Sequence, residues 1–232
     1  MSDFKEKVLT ATASLLRRPP KFHMHGKAYT PKYSLDPKIE KQLATWEGLD
    51  DRDLFLTHVV TRERFFKSDL CCRRAEYVIE EWDVFSTTVA SYKDPTSVRW
   101  TEGVGLILEV PPQNIIGAFS RHVGVPLHER AHRYQLAHSV KSGISESGIP
   151  VKGGYRKIAT PDKLLKRKVT DNEVLVVGRP HAHVHFAETR TIKVRGMVLA
   201  NQQYLTKQDA IDNLELLRLL QVRNPHLAAE FI

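Results

Sequence analysis

The sequence predicts a single α+β domain over residues 1–232, in which a helical block precedes a mixed or antiparallel β-sheet and a helix follows it. Three patterns predict this order. Residues 36–82 space their apolar side chains mostly as helices do, residues 84–119 and 173–199 are rich in β-branched and alternating apolar residues, and residues 206–223 have helical spacing. Hydrophobic residues make up 41% of the chain, which is enough for one good-sized core.

Two helical regions are expected before the sheet. In residues 1–20, Phe4, Val8 and Leu15 lie about one helical face apart, and two consecutive prolines end the helix. A short extended segment follows at residues 21–29. The helical block then places its apolar side chains at Leu43, Trp46, Leu54, Leu56, Val59, Val60, Tyr77, Val78 and Trp82.

Short apolar segments with β-branched residues define the sheet. Strands are expected at residues 84–89, 104–110, 114–119, 173–177, 181–186 and 191–199. Between them, residues 120–170 are polar and predicted to be irregular, which is typical of functional or mobile segments. In the C-terminal helix, Thr206 can cap the first turn with Asp209 three residues on, and Asn224 with Pro225 closes the helix.

Charge and cysteine content indicate the partners and the compartment. The formal net charge of +8 and the sequence pI near 9.5 favour binding to polyanions such as nucleic acid. Cys71 and Cys72 are adjacent, an arrangement that seldom forms a disulfide without strain. No apolar run has the length of a signal peptide core or a membrane span, so we expect a cytoplasmic protein without membrane attachment.

Four short segments follow one another in an order that suggests a family. They are Met24-His25-Gly26, then Phe85-Ser86-Thr87-Thr88, then residues 105–118 with the letters GLILEVPPQNIIGA, and Asp171-Asn172-Glu173 running into a strand. Together they resemble the mono-ADP-ribosyltransferase fold of bacterial toxins and their eukaryotic relatives, over roughly residues 22–200. The resemblance implies a split, mixed or antiparallel sheet core and the use of NAD as substrate, with no metal.

The resemblance also implies a role for each segment. Glu173 would be the catalytic carboxylate, because cleavage of the nicotinamide glycosidic bond creates a cationic ribose that a nearby carboxylate stabilises. Ser86 would orient that carboxylate by hydrogen bonding. NAD binding is assigned by the resemblance to His25, Gly26, Tyr29, Thr87 and Thr88. His25 stands where relatives with a Ser-Thr-Ser strand usually carry arginine.

The acceptor of the ADP-ribosyl group is predicted from the residues ahead of Glu173. In the family this region recognises the acceptor, and here it is basic, which suits RNA or DNA, with a protein side chain as the competing acceptor. The residues assigned to acceptor binding are Asp171, Tyr155, Lys163, Lys166, Arg167 and Lys168. The resemblance further implies a toxin or defence effector and an inhibitory antitoxin partner.

A metal-dependent enzyme acting on phosphate esters or nucleic acid is the alternative from a different class. His181, His183 and His185 would point to the same side of a strand, as metal ligands do. The candidate partners for such a metal are His122, His128, His132, Glu129 and Glu188. An ordinary half-buried strand with Ala182, Val184 and Phe186 in the core explains the same pattern. A nucleic-acid-binding module without catalysis is also consistent with the charge.

Overall fold

The fold is known from a computed structural model. The structure describes residues 37–82, 84–98, 100, 102–121, 158–166, 172–181, 183–184, 187–199 and 206–231. Its helices are α1 (Pro37–Ala44), α2 (Arg62–Lys67), α3 (Ala75–Ile79), α4 (Pro161–Leu164) and α5 (Lys207–Arg223). Its strands are β1 (Leu54–Val60), β2 (Phe85–Ser91), β3 (Val104–Glu109), β4 (Ile115–Phe119), β5 (Glu173–Val176), β6 (His183–Val184), β7 (Ala187–Glu188), β8 (Lys193–Leu199) and β9 (Ala228–Phe231).

These elements confirm the predicted α+β class with a mixed sheet. Seven strands form one sheet in the order β4-β5-β2-β1-β3-β8-β9. Every neighbouring pair in it is antiparallel except β8 and β9, which are parallel. Strands β6 and β7 form a separate two-stranded ribbon. Most strands expected from the sequence are therefore present, and the predicted helix of residues 1–20 lies outside the described residues.

The assignment of residues 54–60 to the helical block is wrong, because this segment forms β1 near the centre of the sheet. Its sequence, LFLTHVV, is almost continuously apolar, and six of its seven residues are buried. A strand that is buried on both faces loses the alternation that marks a half-buried strand, so its pattern can be mistaken for that of a helix. Asp53, with φ of 55°, turns the chain into it.

The sheet carries a hydrophobic cluster on each face. The larger cluster covers the first face, where Leu56, Leu106 and Val174 pack with residues of the helices and their ends, among them Leu220 in α5 and Trp46 just after α1. We call the opposite side the second face. Part of it is covered by a smaller apolar cluster made of Phe55, Ala90, Val98, Ile107 and Val198, with Tyr92 and Trp100 packed against it.

The C-terminal region matches the prediction up to the end of α5. The Thr206 side chain accepts a hydrogen bond from the Asp209 backbone N–H, and the Asp209 carboxylate accepts one from the Thr206 backbone N–H. This is the capping box that the sequence indicated. Asn224 ends the helix, but the chain then continues into β9, which the sequence did not predict. The four residues of β9 show little alternation of apolar and polar side chains, and they pair in parallel with β8. The local sequence therefore gives no signal for this strand.

Candidate functional site

The candidate carboxylate, Glu173, is the first residue of β5 and lies inside the sheet. Strand β5 is paired on one side with β4, where Phe119 is opposite Glu173, and on the other side with β2. The side chain is 2% exposed. Burying a carboxylate is costly because the group loses its hydration. Carboxylates that serve only solubility lie at the surface, so the buried position of Glu173 is unusual.

Ser86 and Thr88 share the second face with Glu173. The register pairs Ser86 with Leu175 and Thr87 with Val174, and one further step places Thr88 across from Glu173. Because side chains alternate along a strand, Ser86, Thr88 and Glu173 point to the same side. Two of the predicted hydroxyls are therefore neighbours of the predicted carboxylate.

The row of polar side chains extends one strand further. Thr57 on β1 is the register partner of Thr88 on β2, so Glu173, Thr88 and Thr57 follow one another across β5, β2 and β1. We call these three residues the polar row. Adjacent strands lie about 4.8 Å apart, which puts the backbones of Glu173 and Thr57 on the order of 10 Å from each other.

Thr87 does not join the polar row, although the sequence grouped it with Ser86 and Thr88. It lies on the first face and is 2% exposed. Its hydroxyl donates a hydrogen bond to the backbone oxygen of Val174 at 2.9 Å. This contact ties β2 to β5 and directs the Thr87 side chain away from the second face.

Asn172 fixes the backbone immediately before Glu173. Its side-chain oxygen accepts a hydrogen bond from the Val89 N–H at 2.8 Å, and its side-chain nitrogen donates one to the Val89 oxygen at 3.1 Å. The side-chain amide thus takes the place of a backbone peptide group and adds one more pair of hydrogen bonds between β2 and the chain just before β5. Asn172 is 7% exposed, so both bonds are shielded from water. Asn172 had no predicted role of its own.

A second asparagine holds the other end of β5. The buried Asn114 side chain donates to the backbone oxygens of Val177 and Arg190, and its side-chain oxygen accepts from the Arg190 N–H. Next to it, Gly178 passes so close to α3 that a Cβ at this position would lie 2.0 Å from the Ile79 oxygen. The position of β5 is therefore set at both ends.

His58 fixes the backbone of Ser86 from the first face. Its Nδ1–H donates to the Ser86 oxygen at 2.8 Å, a tautomer assigned from the carbonyl partner. The ring is 2% exposed and meets Trp82 and Phe85 edge-on at centroid distances of 5.0 and 5.4 Å. His58 had no predicted role because its segment was assigned to the helical block, whereas a histidine within a strand-length apolar run is the signal that identifies it.

The remaining predicted residues are only partly placed. Lys163 in α4 and Lys166 just after it are exposed. Ala159, just ahead of α4, is attached to the core, because the Trp46 indole N–H donates a hydrogen bond to its backbone oxygen at 3.1 Å. The predicted site residues that lie outside the described residues are His25, Gly26, Tyr29, Tyr155, Arg167, Lys168 and Asp171.

The continuous histidine strand predicted for residues 181–186 is not present. His181 lies in an exposed turn with φ of 60°, and its N–H donates to the Thr189 oxygen. Only His183 and Val184 form strand β6, and His185 is outside the described residues. Gly178 and Pro180 turn the chain before it can extend. Within the described part of the chain, no group of three or more His, Cys, Asp or Glu residues could hold a metal ion.

Among the helices in the described residues, none combines the length and the apolar character that crossing a membrane requires. No family model, no curated protein and no solved structure matches this chain.

Proposed function

We propose that this chain transfers the ADP-ribosyl group of NAD to a macromolecular acceptor, with Glu173 as the catalytic carboxylate. The observation that supports the proposal is the buried Glu173 at the end of the polar row, beside Thr88 and on the same face of the sheet as Ser86. The sequence resemblance supplies NAD as the substrate, and the geometry supplies a fixed carboxylate with neighbouring hydroxyls.

The chemistry of this transfer suits such a carboxylate. The bond between the ribose carbon and the nicotinamide nitrogen breaks, and its electron pair leaves with nicotinamide. The ribose ring becomes cationic, and an acceptor atom forms the new bond and then loses its proton. A carboxylate in a low-dielectric site stabilises the developing positive charge more strongly than it would in water. Asn172 restrains the backbone next to Glu173, which supports a fixed position for the strand that carries the carboxylate.

An anionic acceptor, RNA or DNA, agrees best with the charge of the chain. The net charge is +8, and the exposed Lys163 and Lys166 precede Glu173 in the chain. Lysine side chains neutralise phosphates and thereby strengthen binding to nucleic acid. A protein side chain is the second acceptor to be assayed. A toxin or defence role with an inhibitory protein partner belongs to the same proposal.

Labelled NAD tests the proposal directly. The purified protein is expected to release nicotinamide and to label one of three separately assayed fractions, RNA, DNA or protein. Glu173→Gln removes the charge but keeps the shape, so it is expected to lose activity by about 100-fold or more while remaining folded. Glu215→Gln on α5, where Glu215 pairs with Arg62 at the surface, is the control and should retain activity. Full turnover by Glu173→Gln would refute the assignment.

A further inference from the structure

Thr57 carries a buried hydroxyl without a hydrogen-bond partner among the described residues. The residue is 0% exposed and lies on β1, near the centre of the sheet. Its Oγ1 makes no hydrogen bond in this part of the chain. Buried polar atoms in native proteins are nearly always paired, because an unpaired one loses its bonds to water and gains none in return. The Thr57 hydroxyl therefore needs an explanation.

A second such atom lies nearby on the same face. The indole nitrogen of Trp100 is buried and likewise has no hydrogen-bond partner in the described ranges. Both side chains meet at Gly105 on β3: a Cβ on Gly105 would lie 2.4 Å from Thr57 Oγ1 and 3.0 Å from Trp100 Cζ2. Glycine at this position lets the indole ring pack against the sheet beside Thr57.

Packing alone does not account for these two polar atoms. Valine has nearly the shape of threonine and would fill the Thr57 position without burying a hydroxyl, and Phe55 and Ile107 of the small cluster on the second face are its neighbours on the sheet. On the adjacent strand, the equally buried Thr87 does form a hydrogen bond, to the Val174 oxygen. Positions that break a general packing rule, such as a buried polar atom without a hydrogen-bond partner, are typical of functional sites.

We propose that the Thr57 hydroxyl and the Trp100 indole N–H bind an uncharged, oxygen-bearing group of the NAD substrate, at the end of the polar row away from Glu173. This inference rests on the proposed function. The indole N–H can only donate, so the bound group must accept, and a threonine hydroxyl can do either. No charged side chain stands between Glu173 and Thr57 in the row. A carboxamide oxygen and a ribose hydroxyl both meet these requirements.

The test measures binding and stability together in the Glu173→Gln background, where NAD is expected to be consumed at least about 100-fold more slowly. Thr57→Val is expected to raise the melting temperature by about 2–4 °C, because it removes an unpaired buried hydroxyl. The same change should weaken NAD binding by about 5- to 10-fold, the loss typical of one neutral hydrogen bond. Thr57→Ser keeps the hydroxyl and should restore the affinity. Trp100→Phe removes the N–H, keeps an aromatic ring, and should weaken NAD binding similarly.

Two smaller probes identify the group that is bound. Weaker binding of nicotinamide by Thr57→Val assigns the contact to the carboxamide, whereas weaker binding of ADP-ribose assigns it to a ribose hydroxyl. Thr87→Val is the stability control and should lower the melting temperature, since its hydroxyl has a partner.

The outcomes separate this inference from the proposed function. Unchanged NAD affinity in both Thr57→Val and Trp100→Phe, in a protein whose parent turns over NAD, overturns the inference alone. A fall in melting temperature for Thr57→Val with unchanged affinity also overturns it, because the hydroxyl then serves the fold. Absence of NAD binding and turnover in the unmodified protein refutes the proposed function, and the inference fails with it.

Discussion

Replacement of Asn172 by alanine tests whether a side-chain amide positions the candidate carboxylate. Asn172→Ala removes the bonds to the Val89 N–H and oxygen, both of which lie in the buried part of β2. Each buried backbone group left without a partner costs about 1–3 kcal/mol, so we expect a destabilisation of about 2–6 kcal/mol for the pair. Urea unfolding followed by circular dichroism measures this change.

The same variant should also impair turnover. The backbone of Glu173 loses its tether to β2, and small displacements of catalytic groups cost up to about 100-fold in rate. We therefore expect kcat for NAD cleavage to fall by about 10- to 100-fold, with a smaller change in KM, when measured at a temperature where the variant is folded.

Asn224→Ala is the matched control for this experiment. The buried Asn224 side chain accepts from the Ala75 N–H and donates to the Leu220 oxygen, both at 2.8 Å, and thus makes the same two kinds of bond beyond the end of α5. Its loss should reduce stability to a similar extent but leave kcat near that of the parent. Equal losses of kcat in the two variants, or a stability change below about 0.5 kcal/mol for Asn172→Ala, would show that the positioning argument is mistaken.

Three further predictions concern packing and ionisation. Gly178→Ala should lower the free energy of unfolding by about 1–3 kcal/mol, because its Cβ would collide with the Ile79 oxygen; an unchanged urea midpoint would contradict this. Burial raises the pKa of Tyr92 to about 12, so the unfolded chain ionises first and stability should fall as the pH rises from about 10 towards 12. Tyr92→Phe should remove that part of the fall in urea midpoints. Burial, and then the neighbouring Cys71, raise the pKa of Cys72 to about 11, so alkylation of Cys72 by iodoacetamide should be slow at pH 8 and accelerate towards pH 11. If mass spectrometry shows that the alkylation rate reaches half its maximum at a pH near the pKa of a free thiol, this expectation is contradicted.

Strands and caps with local signals were predictable from the sequence. The β-branched segment that became β2 and the capping pair Thr206 and Asp209 depend on neighbouring residues alone, and both are present in the structure. Strand β1 was missed because a short, fully buried apolar run has no period that distinguishes strand from helix. Strand β9 was missed because it is stabilised by pairing with β8, a contact between distant parts of the chain.

In the candidate site, too, some features were predictable from the sequence and others were not. That Ser86 and Glu173 lie near one another was expected from the family resemblance, and the register of β2 and β5 places them on one face. Their roles with NAD stay predictions. The contributions of Thr57 and Asn172 could not be read from the sequence, because each depends on which residue of another strand lies opposite. The face to which Thr87 points depends on the same register.

The two asparagine side chains at the ends of β5 have a consequence for the acceptor in the proposed transfer reaction. Asn172 and Asn114 hold the four-residue strand through contacts with β2, Val177 and Arg190, and these contacts do not involve Lys163 or Lys166. Under the proposed function, bond cleavage would depend on the residues around Glu173 and acceptor choice on the basic residues that precede it. Exchange of the basic residues before position 172 should redirect the modification to a new acceptor while the rate of NAD cleavage is inherited unchanged.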